Sequence, residues 1–370
     1  MIYFDNAATT FPKPQCVYDA INEGMKKYSF NAGRGSYKEA NETYKMIEKT
    51  REKLAFLVDA DKNNVIFTSS ATESINNIIY GLDLKPNDNV YVSPFEHNAI
   101  VRTLYNCKVN IIILPFDKKT WELDEEKANA MMIMNKPKAV IISHISNVTG
   151  FMLPYEKIFK ISKKYGSVNV LDSAQGFGIY KVNKNNVDFV VFAGHKSLYA
   201  MFGIAGYINI TGYELKKYKV GGTGSDSLNP NMPDNSPLKY EAGSMNSVGI
   251  YSIFTSIDFI NNNKFDIIKS ELTQYLIKEL KKIKKIHLYL PEGYNPFGIV
   301  SFNVEGYTSD EVGVILANEF DICVRTGYHC APFVHNFIES DEYFGTVRVS
   351  FSGFNKIEEI DFLVDSLNDF

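Results

Sequence analysis

A chain of 370 residues in which 45% of the side chains are hydrophobic is long enough to bury a full core. It suggests two domains, or one large domain with a satellite, and no size constraint calls for disulfide staples or structural metals. With 39 basic against 43 acidic side chains and a net charge of −4, nothing points to a nucleic-acid or membrane partner. Four cysteines, Cys16, Cys107, Cys323 and Cys330, are scattered without a CxxC pair, which argues against a disulfide framework or a four-thiolate zinc site. No apolar run reaches the length of a membrane span. The opening Met1-Ile2-Tyr3-Phe4-Asp5 lacks the basic and apolar regions of a signal peptide, so a cytoplasmic location with reduced thiols is expected.

The chain opens with a short predicted strand over 2–4, then Asp5-Asn6-Ala7-Ala8-Thr9-Thr10 and a turn marked by Pro12 and Pro14. A helix is expected over 17–28, a glycine-rich loop over 31–36, and a long polar helix over about 37–58. From there apolar strand patterns at 65–67, 89–92, 109–114, 139–142, 168–171, 187–192 and 205–210 alternate with helical ones, two of which begin near Thr72 and Asn98. Such alternation predicts an α/β fold with a mainly parallel, seven-stranded sheet covered by helices on both faces. Beyond a long stretch rich in Gly, Asn, Pro and Ser at 221–240, helices are expected over 248–261 and on to 282, near 309–320 and near 357–367. Strands at 298–304 and 346–351 complete a smaller α+β domain.

Ligands of such sheets bind beyond the carboxyl ends of the strands, and the residues there are unusually polar. Val187-Asp188-Phe189-Val190-Val191-Phe192 stops at Ala193-Gly194-His195-Lys196-Ser197, and Val168-Asn169-Val170-Leu171 stops at Asp172-Ser173-Ala174-Gln175. A lone lysine is most often a solvated amine. An amine and a carboxylate on neighbouring strand ends are what pyridoxal phosphate chemistry asks for. The lysine captures the cofactor's aldehyde, and the carboxylate keeps the pyridine nitrogen protonated so that the ring draws electrons. Thr68-Ser69-Ser70-Ala71-Thr72-Glu73 reads as a helix N-cap, and the same helix start is a ready anion site. His97, alone in a loop after a strand, reads by itself more often as structural, and Asn147, in the next such loop, reads as turn chemistry or as a cofactor ligand.

The motifs Ala71-Thr72-Glu73-Ser74, Glu96-His97-Asn98-Ala99, Ser146-Asn147-Val148-Thr149-Gly150, Asp172-Ser173-Ala174-Gln175, Gly194-His195-Lys196, Glu241-Ala242-Gly243-Ser244 and Arg325-Thr326-Gly327-Tyr328-His329-Cys330-Ala331-Pro332 together resemble the cysteine desulfurase family. That family is part of the class V aminotransferase-like group of pyridoxal phosphate enzymes of fold type I. The resemblance runs in order from Tyr3-Phe4-Asp5-Asn6-Ala7-Ala8 to Gly345-Thr346-Val347-Arg348-Val349-Ser350. It implies pyridoxal 5'-phosphate as cofactor, with Lys196 as its covalent anchor, Asp172 at the pyridine nitrogen, Gln175 at the phenolic oxygen and His97 stacked on the ring. The phosphate would be held by the Ala71 and Thr72 amides, the Thr72 hydroxyl, His195, and Ser244 of a partner subunit. Asn147 and Arg348 would receive the substrate carboxylate, with Arg325 close to that site. The implied organisation is a large domain over 16–248, a small domain from 1–15 and 249–370, and a homodimer with shared active sites.

The resemblance also bears on Cys330. Its thiol is flanked by cationic or potentially cationic groups, surroundings that favour thiolate, and thiolate is what attack on sulfur requires. The implied reaction takes sulfur from L-cysteine, leaving L-alanine and a persulfide on Cys330 for a sulfur-acceptor protein. Selenocysteine as substrate, or another class V transaminase or β-lyase, are the alternatives. Cys16, Cys107 and Cys323 read as small core residues. His329, Cys330, His335 and His144 lack the spacing of a common zinc motif, so no metal is expected; His287, beside the lysines at 281–285, is expected on a solvated face. The family has glycine where Ser70 stands and serine or threonine where Ala193 stands. Its usual Gly-Pro element after the lysine is replaced by Ala200-Met201-Phe202-Gly203.

Overall fold

The computed structural model describes residues 1–32, 35–225 and 227–370. Gly33 and Arg34 of the expected loop 31–36, and Asp226 of the stretch 221–240, lie outside the described residues. In chain order the elements are β1 (Ile2–Tyr3), α1 (Gln15–Lys27), α2 (Lys38–Phe56), β2 (Val65–Thr68), α3 (Ala71–Gly81), β3 (Asn89–Val92), α4 (Asn98–Asn106), β4 (Asn110–Ile113), α5 (Glu125–Met134), β5 (Ala139–Ser143), α6 (Tyr155–Ser162), β6 (Val168–Asp172), β7 (Phe189–Ala193) and β8 (Ala205–Asn209). After these come α7 (Ser247–Asn261), α8 (Phe265–Leu280), β9 (Ile286–Leu288), β10 (Ile299–Val304), α9 (Ser309–Phe320), β11 (Ile322–Cys323), α10 (Val334–Ile338), β12 (Val347–Ser350) and α11 (Ile357–Asn368).

The larger sheet has seven strands in the order β2-β8-β7-β6-β5-β3-β4. Strand β8 pairs antiparallel with both β7 and β2, while the other pairings are parallel. Reversing direction twice returns β2 to the direction of β7, so β2, β3, β5, β6 and β7 all end at one edge. The middle strands β5, β6 and β7 are buried along their whole length, as apolar runs sandwiched between two helical layers must be. Alternation sends Val140, Ile142, Leu171, Val190 and Phe192 into one core. Ile141, Val170, Phe189 and Val191 go into another, with Ile75 and Ile78 of α3 and Ile100 of α4. Helix α7 turns Ile250, Ile253 and Ile257 into the first of these cores.

Helices α5 and α6 are additional to the sequence reading. In α5 only Ala128 and Met132 are buried, so no apolar stripe announced it, and α6 has only eight residues. The smaller sheet is antiparallel in the order β12-β10-β9. Its core joins Val300, Phe302, Val347 and Val349 to Leu272 and Leu276 of α8, Val312 and Leu316 of α9 and Leu363 of α11. Helix α9 begins with a reciprocal cap between Thr308 and Glu311. His287 is exposed on β9.

The N-terminal segment stitches the two bodies together. Strand β1 pairs with β11, Ile2 opposite Ile322, and Phe4 lies in the smaller core. Asn6 Nδ2 donates to the Ser350 carbonyl (2.9 Å), and the Ala7 amide donates to Ser350 Oγ (2.8 Å). The Ala7 carbonyl accepts from Gln175 Nε2 (2.9 Å), after β6 of the larger sheet.

Candidate active site

A cavity at the shared strand edge is lined by Ala71, Thr72, His97, Asn147, Asp172, Gln175, His195 and Lys196. Eight of the expected residues therefore meet in one place. Asp172 closes β6, and its Oδ1 accepts from the Ala174 amide (3.0 Å). Burial raises its pKa while the amine of Lys196 pulls the other way. Lys196 sits in the connection from β7 to β8, which is pinned at both ends: Gly194 N donates to Ile204 O (3.0 Å), and Ala200 N donates to Gly194 O (2.8 Å). Burial lowers the Lys196 pKa against the opposing pull of Asp172. The Lys196 carbonyl accepts from the Tyr199 amide (3.0 Å), while its Nζ has no hydrogen-bond partner among the described residues. The strand end thus presents an amine biased toward its neutral, nucleophilic form.

The start of α3 forms one wall of the cavity. Ser70 is the N-cap, its Oγ accepting from Glu73 N (3.1 Å), while Glu73 Oε2 accepts from the Ser69 amide and hydroxyl (2.8 and 2.6 Å). Ser70 has an extended backbone with φ −160°, so serine meets no strain where the family has glycine, and it adds a cap. The side chains spend themselves on the cap. That leaves the Ala71 and Thr72 amides facing the cavity at the positive end of the helix. Opposite, the His195 ring stacks on Phe202 at 4.5 Å, and its buried Nδ1 has no partner. Burial lowers its pKa to about 4.

His97 caps α4, its Nδ1 accepting from the Ala99 amide (3.0 Å). This places the ring proton on Nε2. Burial, then the charge of Lys196, lowers its pKa to about 4, so the ring is neutral at pH 7. The adjacent Glu96 straps the edge: its carboxylate accepts from Ser93 Oγ (2.5 Å), from the Ser143 amide (2.9 and 3.0 Å) and from Ser143 Oγ (2.6 Å). Burial raises it to about 7.

Arg348 on β12 is buried. Its Nη2 donates to Asp5 Oδ1 (2.7 Å) and its Nη1 to the Asn147 carbonyl (2.8 Å), while Nε has no partner. The guanidinium and the Asn147 amide are thus brought together. Arg325 exchanges backbone hydrogen bonds with Arg348 and holds an exposed side chain. Cys330 is exposed, and its carbonyl accepts from the Asn98 amide (2.7 Å), next to His97. One expected flank of the thiol fails. His329 is buried, its Nε2 lies 2.8 Å from Thr346 Oγ1 and 2.9 Å from Thr346 O, and burial lowers its pKa well below the ordinary range. It supplies no positive charge to the sulfur at neutral pH.

Ser244 does not reach this cavity within its own chain. It lines a neighbouring one with Phe67, Gly203 and Glu241. Its segment is held by a buried pair that sequence reading missed: Arg51 Nη1 and Nη2 donate to Glu241 Oε1 (2.8 Å) and Oε2 (2.6 Å), and Oε1 also accepts the Phe67 amide (2.7 Å). Lys13 was missed as well. Its Nζ donates to Thr10 Oγ1 (2.7 Å) and to His195 O (3.0 Å), and burial lowers it to about 7. Its place after Pro12, in the segment preceding α1, was the available signal. Burial also lowers His144 to about 4; its Nδ1 lies 2.9 Å from Ser173 Oγ. Cys16, Cys107 and Cys323 are partly exposed rather than core.

Comparison with known proteins agrees with this arrangement. Residues 2–363 match the family model described as "Aminotransferase class-V". A probable cysteine desulfurase of Methanothermobacter thermautotrophicus is 30% identical, with 100% of this chain and 94% of the relative covered. One from Vibrio cholerae is 29% identical over 100% and 93%. The apo structure of a cysteine desulfurase from Thermococcus onnurineus superposes with a TM-score of 0.89 at 27% identity, covering 100% and 94% of the two chains. The fold is that of a class V aminotransferase-like enzyme, and the chain belongs to that family, in its cysteine desulfurase branch. No described helix is long and apolar enough to cross a membrane.

Proposed function

We propose that the protein is a pyridoxal phosphate-dependent cysteine desulfurase, converting L-cysteine to L-alanine and carrying the sulfur away on Cys330. The observation that supports this best is the meeting of Lys196 and Asp172 on adjacent strand ends in one cavity, with the Cys330 backbone held at Asn98, next to the cavity residue His97. The cavity suits the cofactor: unpaired amides of Ala71 and Thr72 and the orphaned His195 Nδ1 await an anion, and Asp172 awaits a cationic nitrogen. Ser244 of a second copy would complete the phosphate contacts in a homodimer. Bound there, the cofactor supplies an electron sink for the substrate's α-carbon.

The chain's own groups do the rest. Asn147 and Arg348 orient the substrate carboxylate, the planar guanidinium matching it in two-point fashion. The Lys196 amine, its pKa lowered by burial, takes the α proton and returns one. Neutral His97, lining the same cavity with its proton on Nε2, would pass a proton without adding charge. Cys330 sulfur forms a bond to the substrate's sulfur as the substrate's carbon–sulfur bond breaks. The carbon skeleton takes up protons and leaves as alanine, and the enzyme keeps a persulfide for an acceptor protein.

Cys330→Ala is expected to retain the cofactor's absorbance and to release no sulfide from L-cysteine in the presence of a thiol reductant. Unchanged sulfide release overturns the role of Cys330. Amino transfer to a keto acid that is insensitive to the substitution favours a transaminase. Quantifying alanine from L-cysteine and selenocysteine side by side settles the substrate preference.

A further inference from the structure

His329 and Cys330 carry successive left-handed backbone conformations, φ +46° and +57°, in a family-motif segment where neither residue is glycine. Two consecutive such residues are uncommon and persist only where their surroundings hold them. Three catches do so here. The His329 ring is sunk beside β12, with Nε2 on Thr346. The His329 carbonyl accepts from Asn147 Nδ2 (2.8 Å), and the Cys330 carbonyl accepts from the Asn98 amide (2.7 Å) at the start of α4. Asn147 in turn offers its own carbonyl to Arg348. The residues that orient the substrate carboxylate and the backbone that carries the thiol are therefore one hydrogen-bonded chain.

We propose that His329 is a positioning residue for Cys330: tethered at Thr346 and to Asn147, it sets the sulfur relative to the substrate-carboxylate site. Because the ring is neutral and its Nε2 is committed to Thr346, it acts through geometry and not by activating the thiol. A displacement of about 1 Å at a reacting atom costs up to ~10²-fold in rate. The two donors of the Asn147 amide allow it to hold His329 and a carboxylate together. This inference rests on the desulfurase reading for its kinetic consequence, but the tether itself can be tested without it.

The test compares holoenzyme carrying His329→Leu, which fills the site without the hydrogen bond, with His329→Gln, whose amide places an N–H near the position of Nε2–H. The expectation for His329→Leu is a fall in kcat for alanine formation of about 10- to 100-fold with KM within about threefold, while the absorbance of the bound cofactor is unchanged. His329→Gln is expected to restore most of the rate. Alkylation of Cys330 by iodoacetamide should be faster in His329→Leu at every pH, with an unmoved pH midpoint. A shifted midpoint would mean electrostatic activation and overturns the proposal, as does wild-type kcat with a wild-type alkylation rate. Altered alkylation in a protein that makes no alanine upholds the tether and fails the desulfurase reading instead. Should His329→Leu not fold, hydrogen exchange at the Asn98 amide of the unsubstituted protein decides: slow exchange supports the catch, and exchange at the unprotected rate sinks it.

Discussion

Lys196, which lines the cavity, and Cys330, whose backbone is held at Asn98 beside the cavity residue His97, rest on opposite kinds of support. The lysine stands on a hairpin whose two strands are buried and paired residue by residue, Ala193 opposite Ala205. Its position is given by a sheet. The thiol stands on an irregular segment with left-handed backbone, and its position is given by a few long-range hydrogen bonds to residues of the larger body, Asn98 and Asn147. Sites built on regular elements hold geometry more tightly than sites on loops, whereas loops carry the groups that must meet more than one partner. A desulfurase needs both, an amine that stays and a sulfur that takes cargo from one molecule and gives it to another.

The harshest way to break this contrast is to remove the fixed side. Lys196→Ala is expected to lower alanine formation by on the order of 10³-fold or more, with the fold intact by circular dichroism. Activity within tenfold of wild type would dismiss the lysine as the centre of the chemistry. The sheet itself is probed next at Arg51, whose buried bidentate pair with Glu241 ties the Ser244 segment to β2. Arg51→Met leaves an unpaired buried carboxylate and should cost about 3–5 kcal/mol in urea unfolding. The double variant Arg51→Met/Glu241→Leu should recover much of that loss; a double variant as weak as the single one would mean the pair does more than satisfy itself.

The mildest expected effect concerns acidity. His97, His144 and His195 are each lowered to about 4 by burial. Between that value and about 6.5 the unfolded chain binds protons that the folded one refuses. Stability is therefore complete above about pH 6.5 and is lost as the pH falls toward 4. His144, fully buried on Ser173, gives the clearest case: His144→Asn should flatten the acid limb of the stability profile by about 1–3 kcal/mol. An acid limb that stays as steep would assign it to other groups, and Glu96, raised to about 7, acts in the opposite sense.

Much of this was legible in the sequence because parallel strands buried on both faces write themselves as apolar runs, and the polar residues that follow them mark the site edge. Asp172, Lys196, His97 and Asn147 were placed in that way. What the sequence withheld depends on partners far apart along the chain. Arg51 reads as one more cation on a polar helix until Glu241, 190 positions on, is seen against it. His329 reads as a cationic flank until β12 buries it. Strand β11, two residues long, is too short to carry a period, and the reversal of β8 is invisible in an apolar run that looks like its neighbours.

The stitching at the N-terminus has a consequence for how the molecule is made. Residues 2–13 are anchored by Ile322, Cys323, Ser350, Gln175 and the loop at His195, so this stretch has no complete seat until the chain has been made as far as β12. Contacts spanning nearly the full length form late, since loop closure must precede them. A nascent chain stalled short of β12 is therefore expected to leave residues 2–13 unclaimed, making the emergence of β12 the step at which the two sheets are locked together.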